Sequence, residues 1–116
     1  MSNTHVLETD ALRVEIADAG AELVSVRDRE TGAERIWTAD PAVWNRHAPI
    51  LFPFVGKLTD GKYRIGGQEY VMQTQHGFAR DMEFVCTEKT EHFVTHVLMA
   101  TEETKLSYPY VLMISV

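Results

Sequence analysis

The sequence contains 116 residues, which is one domain or less, since domains most often have about 100–150 residues. Hydrophobic residues make up 45% and charged residues 24%, a composition typical of a packed core with a polar surface, which excludes a disordered chain. The net charge of -6 and the scattered Lys and Arg residues argue against a nucleic-acid partner.

The single cysteine, Cys86, cannot form an intramolecular disulfide and indicates a reducing compartment. No His or Lys lies beside it in sequence, so we expect it to be buried and unreactive. The segment from Met1 to His5 lacks the pattern of a secretory signal, and no apolar run approaches the roughly 20 residues that span a bilayer. These features predict a cytoplasmic protein without a membrane partner.

The dominant hydrophobic period in the first third of the chain is two, as in half-buried strands. It predicts strands at 12–17 and 21–28, joined by the turn Asp18-Ala19-Gly20, and a short strand at 34–37 after a second polar turn. Asp40 followed by Pro41 predicts a helical turn at 40–44. The first three strands together predict an antiparallel meander.

The middle of the chain contains an apolar run, 49–56, with a proline near each end, which predicts an edge strand or an irregular buried segment. The runs 62–65 and 68–72 flank Gly66-Gly67, a pattern that predicts a β-hairpin. A second hairpin is predicted from 82–89 and 92–101. No segment shows a sustained helical period of 3.6 residues, so the predicted class is all-β.

The last segment, 110–116, is an uncharged apolar strand with no turn or polar tail after it. An unpaired strand of this kind promotes aggregation. We therefore expect either that it pairs in a homodimer or that the natural chain continues, and we favour the second alternative.

The segment His76-Gly77-Phe78-Ala79-Arg80 is the first candidate for a functional site. A glycine after the histidine allows a ligand to approach the backbone, and an arginine supplies a forked set of donors. A sugar has hydroxyl groups in one plane and apolar C–H faces, so planar polar donors beside an aromatic surface are suited to binding it. A purely structural loop is the alternative for this segment.

Two further cations lie beside proline, glycine or aromatic residues: Arg46, which is followed by His47, and Lys57, which follows Gly56. With His76 and Arg80 they suggest a site for a polyhydroxylated or anionic small molecule. The alternatives are a solvated loop at Arg46 and chance spacing.

Two other groups of residues were weighed as functional. His92 and His96 have a helical zinc spacing but lie in a predicted strand, where they would be about 13 Å apart, so we expect no metal site. We expect the aromatic side chains of the first half to form core, with sugar stacking as the alternative; they are Trp37, Trp44, Phe52 and Phe54.

Four segments taken together resemble a known family. They are Gly20-Ala21-Glu22-Leu23, Glu34-Arg35-Ile36-Trp37, Trp44-Asn45-Arg46-His47-Ala48-Pro49-Ile50-Leu51-Phe52-Pro53-Phe54-Val55-Gly56 and His76-Gly77-Phe78-Ala79-Arg80. Their order and spacing resemble the amino-terminal part of aldose 1-epimerase-like proteins of the galactose mutarotase superfamily. The similarity is greatest to the LacX-like branch, near the glucose-6-phosphate 1-epimerase-like proteins, and extends from about Val6 to Tyr110.

The resemblance implies an antiparallel β-supersandwich, of which 1–116 would be the N-terminal portion, here a partial sandwich. It also implies cofactor-free interconversion of the α and β anomers of a hexose or hexose phosphate. A base takes the anomeric proton and an acid protonates the ring oxygen. In the family these are a Glu and a His from the later part of the chain, so we expect no catalytic residue here and an inactive fragment.

The residues that carry over from the family are substrate contacts. His76 matches a histidine that contacts sugar hydroxyls, and Arg46 and Arg80 match cations of the hexose-phosphate branch. Lys57 stands where mutarotases carry an arginine, and 111–116 is more apolar than the family pattern. A non-catalytic carbohydrate-binding module and a structural β-domain that dimerises through its terminal strand are the alternative functions.

Overall fold

Three antiparallel sheets account for most of the regular structure in a computed structural model that describes residues 3–116. Met1 and Ser2, on which the expectation about a secretory signal partly rests, lie outside the described residues. The predicted all-β class is confirmed, with one short helix. No helix among the described residues has the length and apolar character needed to cross a membrane.

The first sheet is an antiparallel meander that includes two of the three strands predicted for it, at 12–17 and 21–28, and a strand at 4–8 that was not predicted. It contains β1 (Thr4–Glu8), β2 (Leu12–Ala17) and β3 (Leu23–Asp28) in that order. The predicted strand at 34–37 is wrong, because only Glu34 bridges to β3, through Arg27. The side chain of Glu34 accepts from the backbone N–H of Val26, so the segment is fixed by a side chain instead of a ladder.

The second sheet is the hairpin predicted around Gly66-Gly67. Its strands are β4 (Lys62–Ile65) and β5 (Gln68–Val71), and Ile65 faces Gln68 across the turn. Both glycines have positive φ, as a two-residue hairpin turn requires. The apolar segment 49–56 before it is irregular, as the second of the two expectations had it, but the expected burial is wrong, since the segment is only partly buried and Val55 is 81% exposed.

The third sheet contains β6 (Val85–Lys89), β7 (Val94–Met99) and β8 (Met113–Ser115), with β7 in the centre. The predicted second hairpin is therefore confirmed. The terminal strand β8 is not unpaired, since it pairs with β7 inside the chain and leaves only its other side at the sheet edge.

A short helix, α1 (Glu102–Ser107), connects β7 to β8 and was not predicted. Thr101 caps it: the Thr101 hydroxyl accepts from the N–H of Thr104, and the Thr104 hydroxyl accepts from the N–H of Thr101. The predicted helical turn at 40–44 forms as a hydrogen-bonded turn, in which Asp40 accepts from Val43 and Trp44.

The core joins the first and third sheets to the loop that carries the candidate site. Its buried members come from distant parts of the chain and are Ala21, Ala79, Phe84 and Leu98. Partly buried side chains pack around them, among them Phe52 and Phe78. The candidate loop is therefore part of the core at one end and exposed at the other.

Candidate functional site

The loop that contains His76 and Gly77 is held against Phe52 by backbone contacts. The carbonyl oxygen of Phe52 accepts from the N–H groups of Phe78 (2.9 Å) and Ala79 (3.2 Å). His76 and Gly77 both have left-handed backbone angles, with φ of 66° and 76°. A Cβ on Gly77 would lie 2.1 Å from the Phe52 oxygen, so glycine is required for this close approach.

The imidazole of His76 is oriented by Gly56. The backbone N–H of Gly56 donates to His76 Nδ1 at 2.8 Å, and the N–H of His76 donates to the carbonyl of Gly56 at 2.7 Å. Because Nδ1 accepts a hydrogen bond, a neutral ring carries its proton on Nε2. Within residues 3–116, Nε2 has no hydrogen-bond partner. His76 thus presents a donor to a ligand.

Lys57 follows Gly56 directly and is exposed. It lines an open cavity with Asp60, Gly61 and Gln73. In the described part of the chain Lys57 makes no ion pair, so its ammonium is available to a ligand. Gly56 therefore connects two of the predicted site residues, His76 and Lys57.

Arg46 is held by a carboxylate from the candidate loop. Its Nη2 donates to Asp81 Oδ1 at 2.7 Å, an ion pair in which both side chains are partly exposed. The chain just after Arg46 is fixed by Glu22, whose Oε1 accepts from the N–H groups of His47 (2.8 Å) and Ala48 (3.0 Å). Glu22 thereby sets the path of the segment that brings Arg46 to Asp81.

Arg80 lies where the candidate loop crosses the turn between β2 and β3. A Cβ on Gly20 would lie 2.8 Å from the carbonyl oxygen of Arg80, and the N–H of Gly20 donates to Met82 at 2.7 Å. The Nε of Arg80 is buried and has no hydrogen-bond partner among the described residues.

Aromatic side chains pack against the segment from Phe52 to Gly56. The ring of Tyr63 packs against Phe54, with centroids 4.9 Å apart, and its hydroxyl donates to the carbonyl of Ser107 at the end of α1. Burial, followed by the neighbouring hydroxyls of Tyr108, Tyr110 and Tyr70, raises the pKa of Tyr63. Tyr63 therefore links the segment to α1 as a neutral phenol.

The four predicted site residues fall into two pairs. His76 is hydrogen-bonded to Gly56, which Lys57 follows in sequence, and Arg46 is paired with Asp81, which follows Arg80 in sequence. Lys57 lines one cavity, and the cavity beside Asp81 is lined by Phe78, Met82 and residues of α1. The structure thus separates the four candidate residues into a pair at Gly56 and a pair next to Asp81.

Sequence reasoning missed the two carboxylates that organise this surface. Asp81 follows the candidate segment directly, and its position in the sequence was the only available signal. Glu22 lies within a segment that carried the family resemblance, but its contact with His47 spans 25 residues and has no local pattern.

Some expectations about neighbouring residues are corrected. Cys86 is half-buried, and its Sγ lies 3.7 Å from the carbonyl of Glu88, so the expected burial is wrong. Trp37 and Trp44 are 40% and 47% exposed and are not core, because Trp37 packs at the surface and donates its Nε1–H to the carbonyl of Trp44. Phe52 does pack against the core, as expected.

Comparisons with known proteins define the class. The sequence pattern of the aldose 1-epimerase family matches residues 3–116. The fold is similar to that of a galactose mutarotase related enzyme from Lactobacillus acidophilus, with a TM-score of 0.94 and 38% identity over 97% of this chain and 37% of that one. A galactose mutarotase-like protein from Lactobacillus casei is similar at a TM-score of 0.93 and 38% identity, over 97% of this chain and 38% of that one.

The chain therefore belongs to the aldose 1-epimerase family and has the galactose mutarotase-like all-β fold, of which it forms a partial sandwich. Within the family it is similar to the plasmid-encoded protein LacX of Lactococcus lactis, at 36% identity over 108 residues. That alignment covers 90% of this chain and 36% of LacX, so the chain spans about a third of the length of its relative. The predicted LacX-like resemblance is confirmed.

Proposed function

We propose that this chain provides the sugar-contacting surface of an aldose 1-epimerase-type protein, which interconverts the α and β anomers of a hexose or hexose phosphate. The family match supports the reaction class. The observation that carries the assignment of the site is the orientation of His76, whose Nδ1 accepts from Gly56 and whose Nε2 is left as a donor. A sugar hydroxyl is an acceptor of the size and polarity that this donor suits.

The reaction requires no cofactor, because ring opening and closure need only proton transfers. A base removes the proton of the anomeric hydroxyl, and an acid protonates the ring oxygen, after which the ring closes on the other face. We assign neither role to a residue of this chain. His76, Lys57, Arg46 and Arg80 are proposed as contacts that bind and orient the sugar.

A phosphate group on the sugar would be bound by the arginine pair. The ion pair with Asp81 holds the guanidinium of Arg46 beside the residue that follows Arg80, and a phosphate would take the place of the Asp81 carboxylate there. Arginine binds phosphate through two parallel hydrogen bonds, so the two side chains suit a hexose phosphate better than a neutral hexose.

Binding and turnover are tested on the same samples by NMR, with D-glucose, D-galactose and glucose 6-phosphate. Anomer exchange faster than in buffer supports the epimerase. Because neither the acid nor the base is assigned to this chain, we expect the chain alone to bind sugar without acceleration. Binding without acceleration by a longer protein that contains this chain would favour the alternative, a non-catalytic carbohydrate-binding module. The absence of both binding and acceleration with all three sugars would contradict the proposal.

The role of His76 is tested with His76→Ala and the control His92→Ala, which changes an exposed histidine in the turn between β6 and β7. Loss of one hydrogen bond to a ligand corresponds to about 1 kcal/mol, so His76→Ala should weaken sugar binding about five- to tenfold. His92→Ala should bind as the unsubstituted chain does. Equal affinities of all three proteins would remove His76 from the site.

We also propose that the free side of β8 pairs with a second copy in a homodimer. β8 is the edge strand of its sheet, and the neighbouring apolar side chains of Val111 and Met113 are 83% and 64% exposed. Exposed apolar edge strands pair with other strands. Sedimentation of a monomer at micromolar concentration would contradict this assembly.

A further inference from the structure

Three side chains from distant parts of the chain meet where the first and third sheets join. They are His5 on β1, Asp18 just after β2, and His96 on β7. Asp18 Oδ1 lies 2.9 Å from His5 Nε2 and 2.8 Å from His96 Nε2. One ligand atom from each of the three residues lies within 4.8 Å of those of the other two.

This cluster lies in the interior. His96 is 1% exposed, and the side chains of Asp18 and His5 are 13% and 22% exposed. The two imidazole rings are 5.4 Å apart at an angle of 68°, so both can direct Nε2 toward one point without stacking. A buried carboxylate between two such rings offers three potential metal-ligand atoms, and the cluster is partly open to solvent at His5.

The chemistry of these three ligand atoms indicates which metal ions they suit. Two imidazole nitrogens and one carboxylate oxygen suit Zn²⁺ and similar transition-metal ions, whereas Mg²⁺ and Ca²⁺ prefer oxygen ligands alone. We propose that His5, Asp18 and His96 bind one Zn²⁺-class ion, with a water molecule as fourth ligand. This inference is independent of the proposed sugar chemistry.

The three ligand atoms lie within 4.8 Å of one another, so binding an ion requires the Asp18 carboxylate and the two imidazoles to shift toward tetrahedral spacing. Tetrahedral bonds of about 2.0–2.1 Å place ligand atoms about 3.3 Å apart. The carboxylate of Asp18 would therefore move by roughly half an ångström from His5 and His96. Both imidazoles would carry their ring proton on Nδ1, which leaves Nε2 free to coordinate. The partly exposed His5 provides the path of entry.

The position of the cluster gives the ion a structural role. The carbonyl of Asp18 accepts from Phe84, a buried core residue, at 2.8 Å. Gly20, two residues further on, lies against the backbone of Arg80. An ion bound to Asp18 would join β1 to β7 and fix the turn on which the candidate loop rests.

The experiment uses the chain after removal of metal by a chelator, titrated with zinc chloride in a calorimeter. The unsubstituted chain and the control His92→Gln should each bind one Zn²⁺, since His92 is exposed and remote in the β6–β7 turn. His5→Gln removes a ligand at the most exposed corner of the cluster and should bind at least about tenfold more weakly. Absence of one-to-one binding, or equal affinity of His5→Gln, would overturn the site.

A second measurement does not depend on the folding of a variant. Imidazole ¹⁵N signals of the unsubstituted chain are followed as Zn²⁺ is added. Signals of His5 and His96 should shift together and saturate at one equivalent. Shifts confined to His47, His76 or His92 would assign the ion elsewhere and contradict the proposal.

Discussion

The carbonyl oxygen of Phe52 occupies the space that a side chain on Gly77 would need. A Cβ at that position would lie 2.1 Å from the oxygen and 2.4 Å from the carbonyl carbon. The same oxygen accepts two backbone hydrogen bonds from the residues after Gly77. This contact, more than any side-chain interaction, determines where His76 lies.

Gly77→Ala should therefore destabilise the chain by about 2–4 kcal/mol, since it adds a steric clash to an unfavourable left-handed backbone. Gly32 is the matched control, because it has the same φ of 76° and no atom within 4 Å of its Cβ position. Gly32→Ala should cost only about 1–2 kcal/mol. Urea denaturation measures both, and equal losses would show that the Phe52 contact can relax.

Glu22 should control the loop that carries Arg46. Glu22→Ala removes the acceptor for two backbone N–H groups and should cost about 1–2 kcal/mol, whereas Glu22→Gln keeps an amide oxygen there and should cost less. Hydrogen exchange at the amides of His47 and Ala48 should accelerate in Glu22→Ala. Unchanged protection of those two amides would show that another group fixes the loop.

Asp81 should compete with a sugar phosphate for Arg46. The ion pair is partly exposed, so Asp81→Asn should change stability by less than about 1 kcal/mol. Removal of the carboxylate frees the guanidinium and removes a repulsive charge, which should tighten glucose 6-phosphate binding about two- to tenfold. Glu91→Gln, an equal charge change in an exposed turn, is the control. Calorimetric affinities that match in the two variants would exclude Arg46 as a phosphate contact.

Asp28 should give the first sheet a pH dependence. The backbone N–H of Thr31, followed by the guanidinium of Arg35, lowers the pKa of Asp28. A lowered folded-state pKa stabilises the folded state above about pH 4, and this contribution is lost as pH falls through the folded-state value. The stability difference between the unsubstituted chain and Asp28→Asn should therefore shrink on acidification.

The order of the two causes is tested by NMR titration of the Asp28 carboxyl. In Arg35→Gln its pKa should rise but stay below the ordinary value, because the Thr31 N–H remains. A return to the ordinary value in Arg35→Gln would make the guanidinium the dominant cause.

Local sequence patterns predicted the hairpins, but they could not predict contacts between residues that are distant in the sequence. Gly66-Gly67 specifies its turn within a few residues, so β4 and β5 could be placed. The helix α1 was missed because it is too short to show a period of 3.6 residues. In addition, the usual capping-box sequence has Glu or Gln at the third helical position, and this helix has Thr104 there.

For the candidate site too, the sequence pointed to individual residues but not to the contacts between them. His76 became a candidate through the order of the segments, but its bond to Gly56 comes from the packing of two loops and has no local sequence signal. The spacing of His92 and His96 in a predicted strand was the only sequence signal that concerned His96. The actual neighbours of His96 are Asp18, 78 residues away, and His5, and no period in the sequence connects them.

The bond between Asp18 and His96 also has a consequence for the order of folding. It joins residues 78 apart, and closing a loop of that length costs conformational entropy before any contact compensates for it. The hairpins close over a few residues and form early by comparison. We therefore expect the turn at Gly20, and the candidate loop that rests on it, to reach their final positions after the hairpins have formed.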